Sequence, residues 1–523
     1  MPPTQAAEQA VAPGVWQLAR TDPRRPALIV PGSAPLTFGE LAAAANQLSN
    51  ALRGLGVAVG DAVASLQHNG PEHYEVNLAL VQIGGYFVPV NVHLTAEEVA
   101  YIVRDSGAKA LIASSDLARS LESVAGDLPE RRYAVGDPVP GWESYEGFKA
   151  QAADTPPPER VSGWLMGYTS GTTGRPKGVR RPIFGVEPEL FIAGSAGLLA
   201  GFGLLPGPGV HLACSPLYHA APGHFSMQCL HLGRTVVIHR KFDPAAILAD
   251  IERYRVTDSQ MVPTHVHRLL RLPAQLRAKH DLSSLRVLLV AGAPFPPQEK
   301  RAAIDWLGPV VWEYLAATEG IVCRVSPQEA LARPGTVGRP EAVKLLDEDG
   351  AAVPTGEAGI IWFPNLAPFE YHNDPAKTAD AVRADGWATV GDIGRLDSGG
   401  YLYLLDRRVD LIITGGVNIY PAEIEQRLIT HPAVADVAVV GVPHPDWGQQ
   451  PVAIVQLEDG VQLEDGVLSE VGEERLAAEL DAYCRTALAS LKCPARYEFR
   501  ESLPRTPTGK LLRRVLREQL AGG

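Results

Sequence analysis

Hydroxyl, glycine and basic residues are concentrated in one stretch of the chain, YTSGTTGRPKGVRR, which runs from Tyr168 to Arg181. Glycine lets a backbone approach a ligand closely, and successive N–H groups and hydroxyls in a tight loop form a concave site for an anion. The ammonium of Lys177 adds a compact positive charge that suits phosphate. The stretch therefore predicts a site for a polyphosphate, and a nucleotide is the simplest source of one.

Two other interpretations of this stretch have to be weighed. It does not match the Walker A loop, G-x-x-x-x-G-K-[ST], because Gly178 rather than a hydroxyl residue follows Lys177. Its residue types also occur in polar surface turns, so composition alone leaves a plain turn open. The apolar run GWLMGY (163–168) is typical of a short buried strand. A strand that leads into a glycine-rich loop favours the anion site.

Four further stretches follow in order: YLAATEG (314–320), TVGDIGRLD (389–397), DRRVDLIITGGVNIYPAEIE (406–425) and PRTPTGK (504–510). Together with YTSGTTGRPKG, in this order and spacing, they resemble the adenylate-forming superfamily. Its members are acyl- and aryl-CoA synthetases, carrier-protein adenylation domains and firefly luciferase, and the chain is most like a bacterial acyl-CoA synthetase. The resemblance covers nearly the whole chain. It implies that a carboxylate attacks the α-phosphate of ATP to give acyl-AMP and pyrophosphate, and that a thiol then displaces AMP.

The resemblance implies a role for each motif. Glu319 would coordinate Mg²⁺, a hard cation that prefers oxygen ligands, and Thr318 would hydrogen-bond the α-phosphate. Asp392 would accept hydrogen bonds from the ribose hydroxyls, with Arg407 assisting. Lys510 would bridge the attacking carboxylate and the α-phosphate, since a reaction between two anions needs strong charge neutralisation. The other residues implied to bind ATP are Thr169, Ser170, Gly171, Thr172, Thr173, Gly174, Lys177, Gly292, Ala293, Pro294 and Leu315.

The acid and the thiol are less closely specified. By the resemblance, His219 in PLYHAAP borders the acyl pocket and the thiol tunnel, and the glycines of GGVN (415–418) let a narrow pantetheine arm pass. The residues expected to meet the acid or CoA are Tyr218, Phe225, Val262, Ala291, Ala316, Gly415 and Gly416. The acid pocket is expected to draw on four segments, 218–226, 261–265, 290–294 and 314–321, which contain no lysine or aspartate. This composition disfavours an amino-acid substrate, because its ammonium would need a carboxylate partner. The small alanines indicate room for a bulky apolar acid, and fatty, steroid-like and terpenoid acids all stay open.

The sequence departs from the family pattern at three positions. The aromatic residue that stacks on adenine is replaced by Leu315, and Tyr314 stands one position earlier. The usual polar hinge residue falls at Val409. The TGD motif reads Val390-Gly391-Asp392, so a threonine is missing while the aspartate that would bind ribose is present.

Size and composition limit the classes of function. The chain has 523 residues, which predicts two or more domains, and its net charge of −12 argues against nucleic acid as a partner. An acidic protein that binds polyphosphate must concentrate positive charge locally, as residues 175–181 do. The five cysteines lack metal-type spacing and are expected to be reduced packing residues in a cytoplasmic protein. Neither a signal peptide nor a membrane span is predicted, and a homodimer is left open.

The pattern along the chain predicts an α/β fold. Residues 36–150 and 208–325 alternate helical and strand patterns, which is typical of parallel sheets. Short strands separated by turns follow from about residue 335 and predict a β-rich subdomain. With the resemblance, the expected organisation is an N-terminal adenylation domain (1–406), a hinge (407–410) and a small mobile α+β domain (411–523).

Three classes of function compete. The leading hypothesis is an acid–thiol ligase that makes acyl-CoA, and the second is an enzyme that loads the phosphopantetheine of a carrier protein. The chain has no Gly-Gly-x-Ser attachment site and no sizeable insertion between Asp392 and Arg407, where fatty-acyl-AMP ligases carry an extra segment, so CoA is favoured. A non-catalytic nucleotide-binding protein is disfavoured because mere binding needs neither Glu319 nor Lys510.

Overall fold

The computed structural model describes residues 12–169, 176–414, 417–458, 470–505 and 511–521. The strands, in chain order, are β1 (Pro26–Ile29), β2 (Leu36–Thr37), β3 (Ala62–Leu66), β4 (Tyr86–Pro89), β5 (Ala110–Ser114), β6 (Arg132–Val135), β7 (Glu143–Ser144), β8 (Trp164–Leu165), β9 (Gly167–Thr169), β10 (Lys177–Arg180), β11 (Val210–Ala213), β12 (Thr235–Ile238), β13 (Asp258–Met261), β14 (Val287–Val290), β15 (Val311–Ala317), β16 (Gly320–Val325), β17 (Lys344–Leu346), β18 (Ala358–Pro364), β19 (Glu370–Tyr371), β20 (Trp387–Ala388), β21 (Asp392–Leu396), β22 (Leu402–Arg407), β23 (Ile412–Thr414), β24 (Val417–Ile419), β25 (Val434–His444), β26 (Gly448–Leu457) and β27 (Arg496–Phe499). The α-helices are α1 (Gly14–Thr21), α2 (Phe38–Gly54), α3 (Pro71–Val81), α4 (Ala96–Asp105), α5 (Ser115–Arg119), α6 (Tyr145–Lys149), α7 (Pro188–Ala200), α8 (Ala220–His231), α9 (Pro244–Tyr254), α10 (Pro263–Leu270), α11 (Ala274–Ala278), α12 (Pro297–Leu307), α13 (Pro327–Ala332), α14 (Pro375–Ala381), α15 (Pro421–Leu428), α16 (Glu470–Arg485) and α17 (Arg513–Ala521).

Two sheets with mainly parallel strands form the framework of the larger part of the chain. The six-stranded sheet has the order β7-β6-β5-β3-β4-β8, and every pair in it is parallel. The eight-stranded sheet has the order β16-β15-β14-β13-β11-β12-β1-β2, and only its two outermost pairs are antiparallel. All four residues of β14 are buried, as a strand covered on both faces requires. The predicted α/β architecture with parallel strands is confirmed.

The strand order of the eight-stranded sheet reverses at β11. This strand pairs with β12 on one side and with β13 on the other, and both pairs are parallel. In open α/β sheets a ligand-binding crevice forms beyond the carboxyl ends of the strands at such a reversal. The carboxyl ends of β11, β13, β14 and β15 lie at the same edge because these strands are parallel. The topology therefore directs four separate loops into one crevice.

The remaining sheets are largely antiparallel. A three-stranded sheet, β19-β10-β9, supports the glycine-rich loop, and a five-stranded sheet, β17-β18-β21-β22 with β20 beside β18, forms the predicted β-rich subdomain. The C-terminal part has a sheet in the order β24-β23-β26-β25, with β27 parallel to β26. Helices α15 and α17 contact β25, so this part is α+β, as the sequence predicted.

Two predictions about the chain's environment can be compared with the structure. The five cysteines are all buried and none forms a disulfide, which confirms the prediction of packing residues with free thiols. Within the described ranges, no helix combines the length and apolar character needed to cross a membrane.

Three buried histidines should make the fold sensitive to acid. Burial lowers the pKa of His73, His231 and His265 from 6.5 to about 3 in each case. Between these values the unfolded chain binds protons that the folded chain does not, so stability rises with pH and is lost as the pH falls from about 6.5 towards 3. The loss is up to about 1.4 kcal/mol per pH unit for each histidine.

Thermal unfolding followed by circular dichroism should therefore show a steep fall in Tm between pH 7 and pH 5. His265→Phe should flatten this dependence, because His265 stacks on Phe242 and a phenyl ring preserves that contact. His93→Gln, at an exposed position, serves as the control and should keep the wild-type slope. A Tm that is constant over this pH range would contradict the prediction.

Candidate active site

The crevice at the reversal of the eight-stranded sheet collects most of the residues predicted to bind acid and nucleotide. Tyr218 and His219 follow β11, and Val262 follows β13. Gly292 follows β14 with φ of +95°, a left-handed conformation that favours glycine. A Cβ atom at Gly292 would lie 3.5 Å from Val262 Cγ1, so these two strand ends are in contact. The residues that complete this edge are Ala291, Ala293, Pro294, Leu315, Ala316, Thr318 and Glu319.

The glycine-rich stretch connects two antiparallel strands. Thr169 at the end of β9 pairs with Lys177 at the start of β10, so residues 170–176 connect neighbouring strands of one hairpin. The predicted phosphate ligands Ser170, Gly171, Thr172, Thr173 and Gly174 lie outside the described residues. A Cβ atom at Gly167 in β9 would lie 3.4 Å from Thr318 Cγ2. The hairpin is therefore beside the predicted α-phosphate ligand, although the two are far apart in sequence.

Each basic side chain of this stretch that the structure describes has a partner within the protein. Lys177 Nζ lies 2.7 Å from Asp374 Oδ2, and hydrogen bonding from Lys177 lowers the pKa of that carboxyl group. Arg180 lies 3.6 Å from Glu370. The buried Arg181 guanidinium donates hydrogen bonds to the backbone carbonyls of Thr318, Glu319 and Ala367. Arg181 thus holds backbone in place, and a phosphate that binds Lys177 has to compete with Asp374.

Removing this competition should strengthen ATP binding. Asp374 is the N-cap of α14 and accepts a hydrogen bond from the Lys377 backbone N–H. Asp374→Asn removes the negative charge of the side chain but keeps an oxygen that can accept this hydrogen bond. We expect the KM for ATP to fall roughly 2- to 5-fold, since a partly exposed ion pair contributes only modestly. Steady-state kinetics with Lys177→Ala as the matched variant should show the opposite shift. An increased KM in Asp374→Asn would mean that the carboxylate assists ATP binding.

Thr318 and Glu319 form the tight turn between β15 and β16. The Glu319 side chain is buried, and its Oε1 accepts a hydrogen bond of 2.8 Å from the Tyr371 hydroxyl. Burial, followed by the charge of Glu319, raises the pKa of Tyr371, so this phenol stays a donor. Arg181 fixes the backbone of this turn, and Tyr371 fixes the carboxylate. Neither contact could be found from sequence spacing, because the partners lie in other sheets.

Asp392 and Arg407 face each other across the antiparallel pair of β21 and β22. Arg407 Nε lies 3.3 Å from Asp392 Oδ1, and Asp392 is buried while Arg407 is partly exposed. Gly391 has φ of +79°, and its N–H donates to Thr389 Oγ1 at 3.1 Å. The threonine that the TGD motif lacks at position 390 is thus present one residue earlier, where its hydroxyl supports the turn before Asp392.

Tyr314 does not take the place of the missing aromatic residue. Successive side chains of a strand point to opposite faces, so Tyr314 and Leu315 cannot occupy the same side of β15. Tyr314 is 3% exposed and packs against Phe202 and Phe225, with ring centroids 5.6 and 5.2 Å away. Leu315 contacts a different apolar cluster, that of Cys323 and Val337. Adenine contact on that side would accordingly be aliphatic.

A cleft of about 1330 Å³ opens at the edge of the sheet. It is bounded by the larger part of the chain on one side and by α15 and α17 of the C-terminal part on the other. The predicted site residues that line it are Gly292, Ala293, Pro294, Leu315, Ala316, Asp392 and Arg407. Arg505 and Leu511 line it as well. Lys510 lies outside the described residues, but these lining residues stand on either side of it in sequence.

The predicted acid-binding residues are more enclosed than expected. Tyr218, Phe225, Val262 and Ala291 are between 2% and 8% exposed, and none of them lines the cleft. His219 is half-buried at the N-cap of α8, with its ring 4.5 Å from that of Tyr218. Of the residues predicted to bind the acid that the structure describes, only Ala316 lines the cleft. The predicted thiol-path residues Gly415 and Gly416 lie outside the described residues.

The predicted hinge separates two sets of ionic contacts. Arg408 pairs with Glu348 of the β-rich subdomain. Asp410 accepts from Arg517 at 2.7 Å and from Arg513 at 3.4 Å, and both arginines belong to α17. Val409, between the two, is 45% exposed. The chain therefore passes from one set of partners to the other within three residues.

Comparison with known proteins decides the family. Residues 15–366 match the family model described as AMP-binding enzyme, and residues 423–510 match that of the AMP-binding enzyme C-terminal domain. The chain belongs to the AMP-binding enzyme family. A feruloyl-CoA synthase from an Amycolatopsis species is 35% identical over 97% of this chain and 98% of its own. The fatty acid–[acyl-carrier-protein] ligase ScoC of Streptomyces coeruleorubidus is 32% identical, over 96% and 95%.

A solved structure supports the same assignment. The anthranilate CoA ligase AuaEII, in complex with anthranoyl-AMP, superposes with a TM-score of 0.82 at 27% identity and covers 99% of this chain and 98% of its own. The AMP-binding enzyme described here is thus an adenylate-forming acid–thiol ligase of the acyl- and aryl-CoA ligase type, as the sequence predicted. The predicted domain bounds and the roles of individual residues stay predictions.

Proposed function

We propose that the protein is an ATP-dependent acyl-CoA synthetase. It activates a carboxylic acid as acyl-AMP with release of pyrophosphate and then transfers the acyl group to the thiol of CoA. The observation that carries this proposal is the shared cleft, where Gly292–Pro294 and the Asp392–Arg407 pair meet the C-terminal residues Arg505 and Leu511. The cytoplasm, with its pools of ATP and CoA, is the proposed compartment.

The first step is the attack of a carboxylate oxygen on the α-phosphorus of ATP, with pyrophosphate as the leaving group. Lys510 would hold the carboxylate in line and neutralise charge at the α-phosphate, where Thr318 donates a hydrogen bond. Lys177, Thr169 and the loop 170–174 would bind the β- and γ-phosphates. Asp392 and Arg407 would fix the ribose, and Leu315 would pack on the adenine from one side.

Glu319 is the proposed magnesium ligand. Its carboxylate is a hard donor of the type that Mg²⁺ prefers. Oε1 accepts the Tyr371 hydrogen bond, and no described residue donates to Oε2. The residues present therefore fit the ion, which would offset the negative charge of the phosphates when bound.

The second step is the attack of a thiol on the acyl carbonyl carbon, with AMP as the leaving group. The small domain (411–523) is proposed to turn between the steps about Val409. The contacts of Arg408 with Glu348 and of Asp410 with α17 support this position, because each stays within one body when Val409 rotates. The turn would withdraw Lys510 and bring Gly415 and Gly416 beside His219 as the path for pantetheine.

The proposed acid is bulky and largely apolar. Ala316 and Tyr314 line the cleft, and Phe225 packs against the Tyr314 ring behind that wall. Relatives of similar identity act, by their names, on ferulate, long-chain fatty acids and 2-succinylbenzoate. Each of these acids is much larger than acetate or propionate.

A carrier-protein phosphopantetheine is the alternative thiol, because ScoC is named as a carrier-protein ligase. A single experiment tests both hypotheses. Purified enzyme, ATP, Mg²⁺ and a panel of acids are assayed for pyrophosphate, and acyl products are identified by mass spectrometry with CoA or with a phosphopantetheinylated carrier protein. We expect acid-dependent pyrophosphate and acyl-CoA. Acylated carrier protein without acyl-CoA would establish the alternative.

Ala316 should limit the size of the acid. Ala316→Trp would extend an indole into the cleft beside Thr318 and should lower kcat/KM for bulky acids at least about 10-fold, while acetate or propionate is affected less. Pyrophosphate release measured across a series of chain lengths tests this. Ala317→Ser, on the opposite face of β15, is the control and should preserve the order of preference. Equal losses for all acids in Ala316→Trp would mean that the acid binds elsewhere.

A further inference from the structure

An ion pair joins the two parts of the chain at the rim of the cleft. Arg271, at the C-cap of α10, pairs through Nη2 with Oε1 of Glu458, the residue that follows β26. The cleft is lined on the α10 side by His267, about one helical turn before Arg271, and on the β26 side by Gln456, two residues before Glu458. The pair therefore connects the larger part of the chain to the small domain (411–523) beside the cleft.

The arginine is held in position for this contact. Arg271 Nη1 lies 3.4 Å from His267 Nε2, and His267 Nδ1 lies 2.6 Å from Oε1 of Glu299 in α12. Arginine can only donate, so Nε2 of His267 accepts and the proton on Nδ1 is donated to Glu299. These contacts orient the guanidinium, so less side-chain entropy is lost when Glu458 pairs with it.

Glu458 is fixed to the sheet of the small domain. Its backbone N–H donates to the Ala433 carbonyl at 3.1 Å, which anchors it beside the start of β25. Thr414 in β23 pairs with Gly448 at the start of β26, and the two strands are antiparallel. Continuing this register brings the chain near Val409 level with the middle of β26, so Glu458 lies roughly 20 Å further along at about 3.3 Å per residue. A turn of the small domain about Val409 would act on Glu458 through this long arm.

The observed arrangement of the two parts is the one that the first step needs. Arg505 and Leu511, which stand on either side of Lys510 in the sequence, line the cleft together with the residues proposed to bind ribose and adenine. A contact that keeps the small domain here therefore keeps the segment of the proposed catalytic lysine beside the nucleotide.

We propose that Arg271 and Glu458 are positioning residues for adenylation, because their ion pair holds the small domain against the larger part of the chain while acyl-AMP forms. The pair breaks when the domain turns, and the attack of the thiol takes place without it. The inference rests on the proposed function, which supplies the two steps and the turn between them.

The pair biases the two arrangements modestly. Its side chains are 43% and 21% exposed, and an ion pair of this kind shifts an equilibrium by only a few-fold. The rate of each half-reaction follows the fraction of enzyme in the arrangement that performs it. The rate of thioester formation from synthetic acyl-AMP, divided by the rate of acyl-AMP formation from acid and ATP, therefore reports the bias. A loss of stability alone lowers both rates and leaves this ratio unchanged.

Charge substitutions test the ratio. Arg271→Glu and Glu458→Arg should each raise it about 3- to 10-fold, since repulsion replaces attraction in the arrangement that forms acyl-AMP. The double substitution restores opposite charges and should return the ratio to within about 2-fold of wild type. Arg104→Glu, which breaks the exposed ion pair with Asp127 inside the larger part of the chain, is the matched control and should keep the wild-type ratio.

A covalent link gives a second test with a larger effect. Arg271→Cys and Glu458→Cys together, joined by a short bis-maleimide, would fix the observed arrangement, whereas a disulfide is too short for a gap that two long side chains fill. The five native cysteines are buried, so the introduced thiols are the reactive ones. In a single turnover the linked enzyme should form acyl-AMP like the unlinked double variant, and thioester formation should fall at least about 10-fold.

The negative results have different meanings. If wild type performs both half-reactions but the charge substitutions keep its ratio, or the double substitution does not restore it, the pair does not position the small domain and the proposed function stands. The same conclusion follows if the linked enzyme forms thioester as fast as the unlinked one. If wild type releases no pyrophosphate with any acid, the proposed function fails and the inference fails with it.

Discussion

Lys510→Ala should abolish the formation of acyl-CoA from free acid and ATP, with a loss of at least about 10³-fold, since positioning and charge stabilisation at the α-phosphate are lost together. The same variant, given synthetic acyl-AMP and CoA, should form thioester at a rate close to wild type. The reason is that Lys510 is needed only while acyl-AMP forms. Arg505 and Leu511, which line the cleft, support its presence there in the first step.

Two further variants make this experiment decisive. Gly416→Trp should block the thiol path and show the reverse behaviour, so that acyl-AMP accumulates and thioester does not form. Lys109→Ala removes an exposed lysine of the six-stranded sheet region and should behave as wild type in both assays. If folded Lys510→Ala were equally inactive in both half-reactions, the alternation of the small domain would be contradicted.

Glu319→Gln should lower the rate of adenylation about 10²-fold or more, as expected for a single charged group that acts on the reacting phosphates. Glutamine keeps the shape of the side chain and can still accept the Tyr371 hydrogen bond, so the loss would come from the charge. Pyrophosphate release should be measured over a Mg²⁺ titration, where the variant is expected to need far more metal.

Tyr371→Phe serves as the matched control for Glu319. It removes the hydrogen bond to Oε1 but leaves the carboxylate charge, and we expect a smaller loss of roughly 10-fold because one hydrogen bond to a charged group is lost. Wild-type turnover of Glu319→Gln at limiting Mg²⁺ would exclude Glu319 as the metal ligand.

The sequence was sufficient to predict which residues of the candidate site directly follow a strand. Apolar runs such as 163–168 and 287–290 are followed directly by glycine, alanine or hydroxyl residues, and parallel strands bring such ends to one edge. The strand-to-loop transition before Ser170 and the turn at Thr318 were predictable for the same reason. The alternation of β15 would also have shown that Tyr314 and Leu315 face opposite ways.

Contacts between distant segments could not be predicted in this way. Lys177 pairs with Asp374, and Arg181 binds the carbonyls of Thr318 and Glu319, although 137 residues or more separate the partners. Such pairs depend on how the small antiparallel sheets pack beside the large parallel one, which local patterns do not specify. For the same reason the pairing of Lys177 with Asp374 could not be predicted.

The burial of the residues predicted to bind the acid could not be predicted from the sequence either. Ala291 is small, but it is buried in the same apolar core as Phe225 and Tyr314. Whether a small residue leaves space or is filled by its neighbours depends on packing across the sheet. Ala316 lines the cleft, and its role beside the acid stays a prediction.

The protein is proposed to make an acyl adenylate, and the nucleotide products of a single turnover test this most directly. Enzyme in excess over ATP is mixed with Mg²⁺ and the preferred acid in the absence of CoA, and the quenched mixture is analysed by mass spectrometry. We predict acid-dependent pyrophosphate and an equal amount of acyl-AMP, which disappears as AMP and acyl-CoA form when CoA is added. ADP and inorganic phosphate in place of AMP and pyrophosphate, or acyl-CoA formed without an adenylate, would contradict the claim.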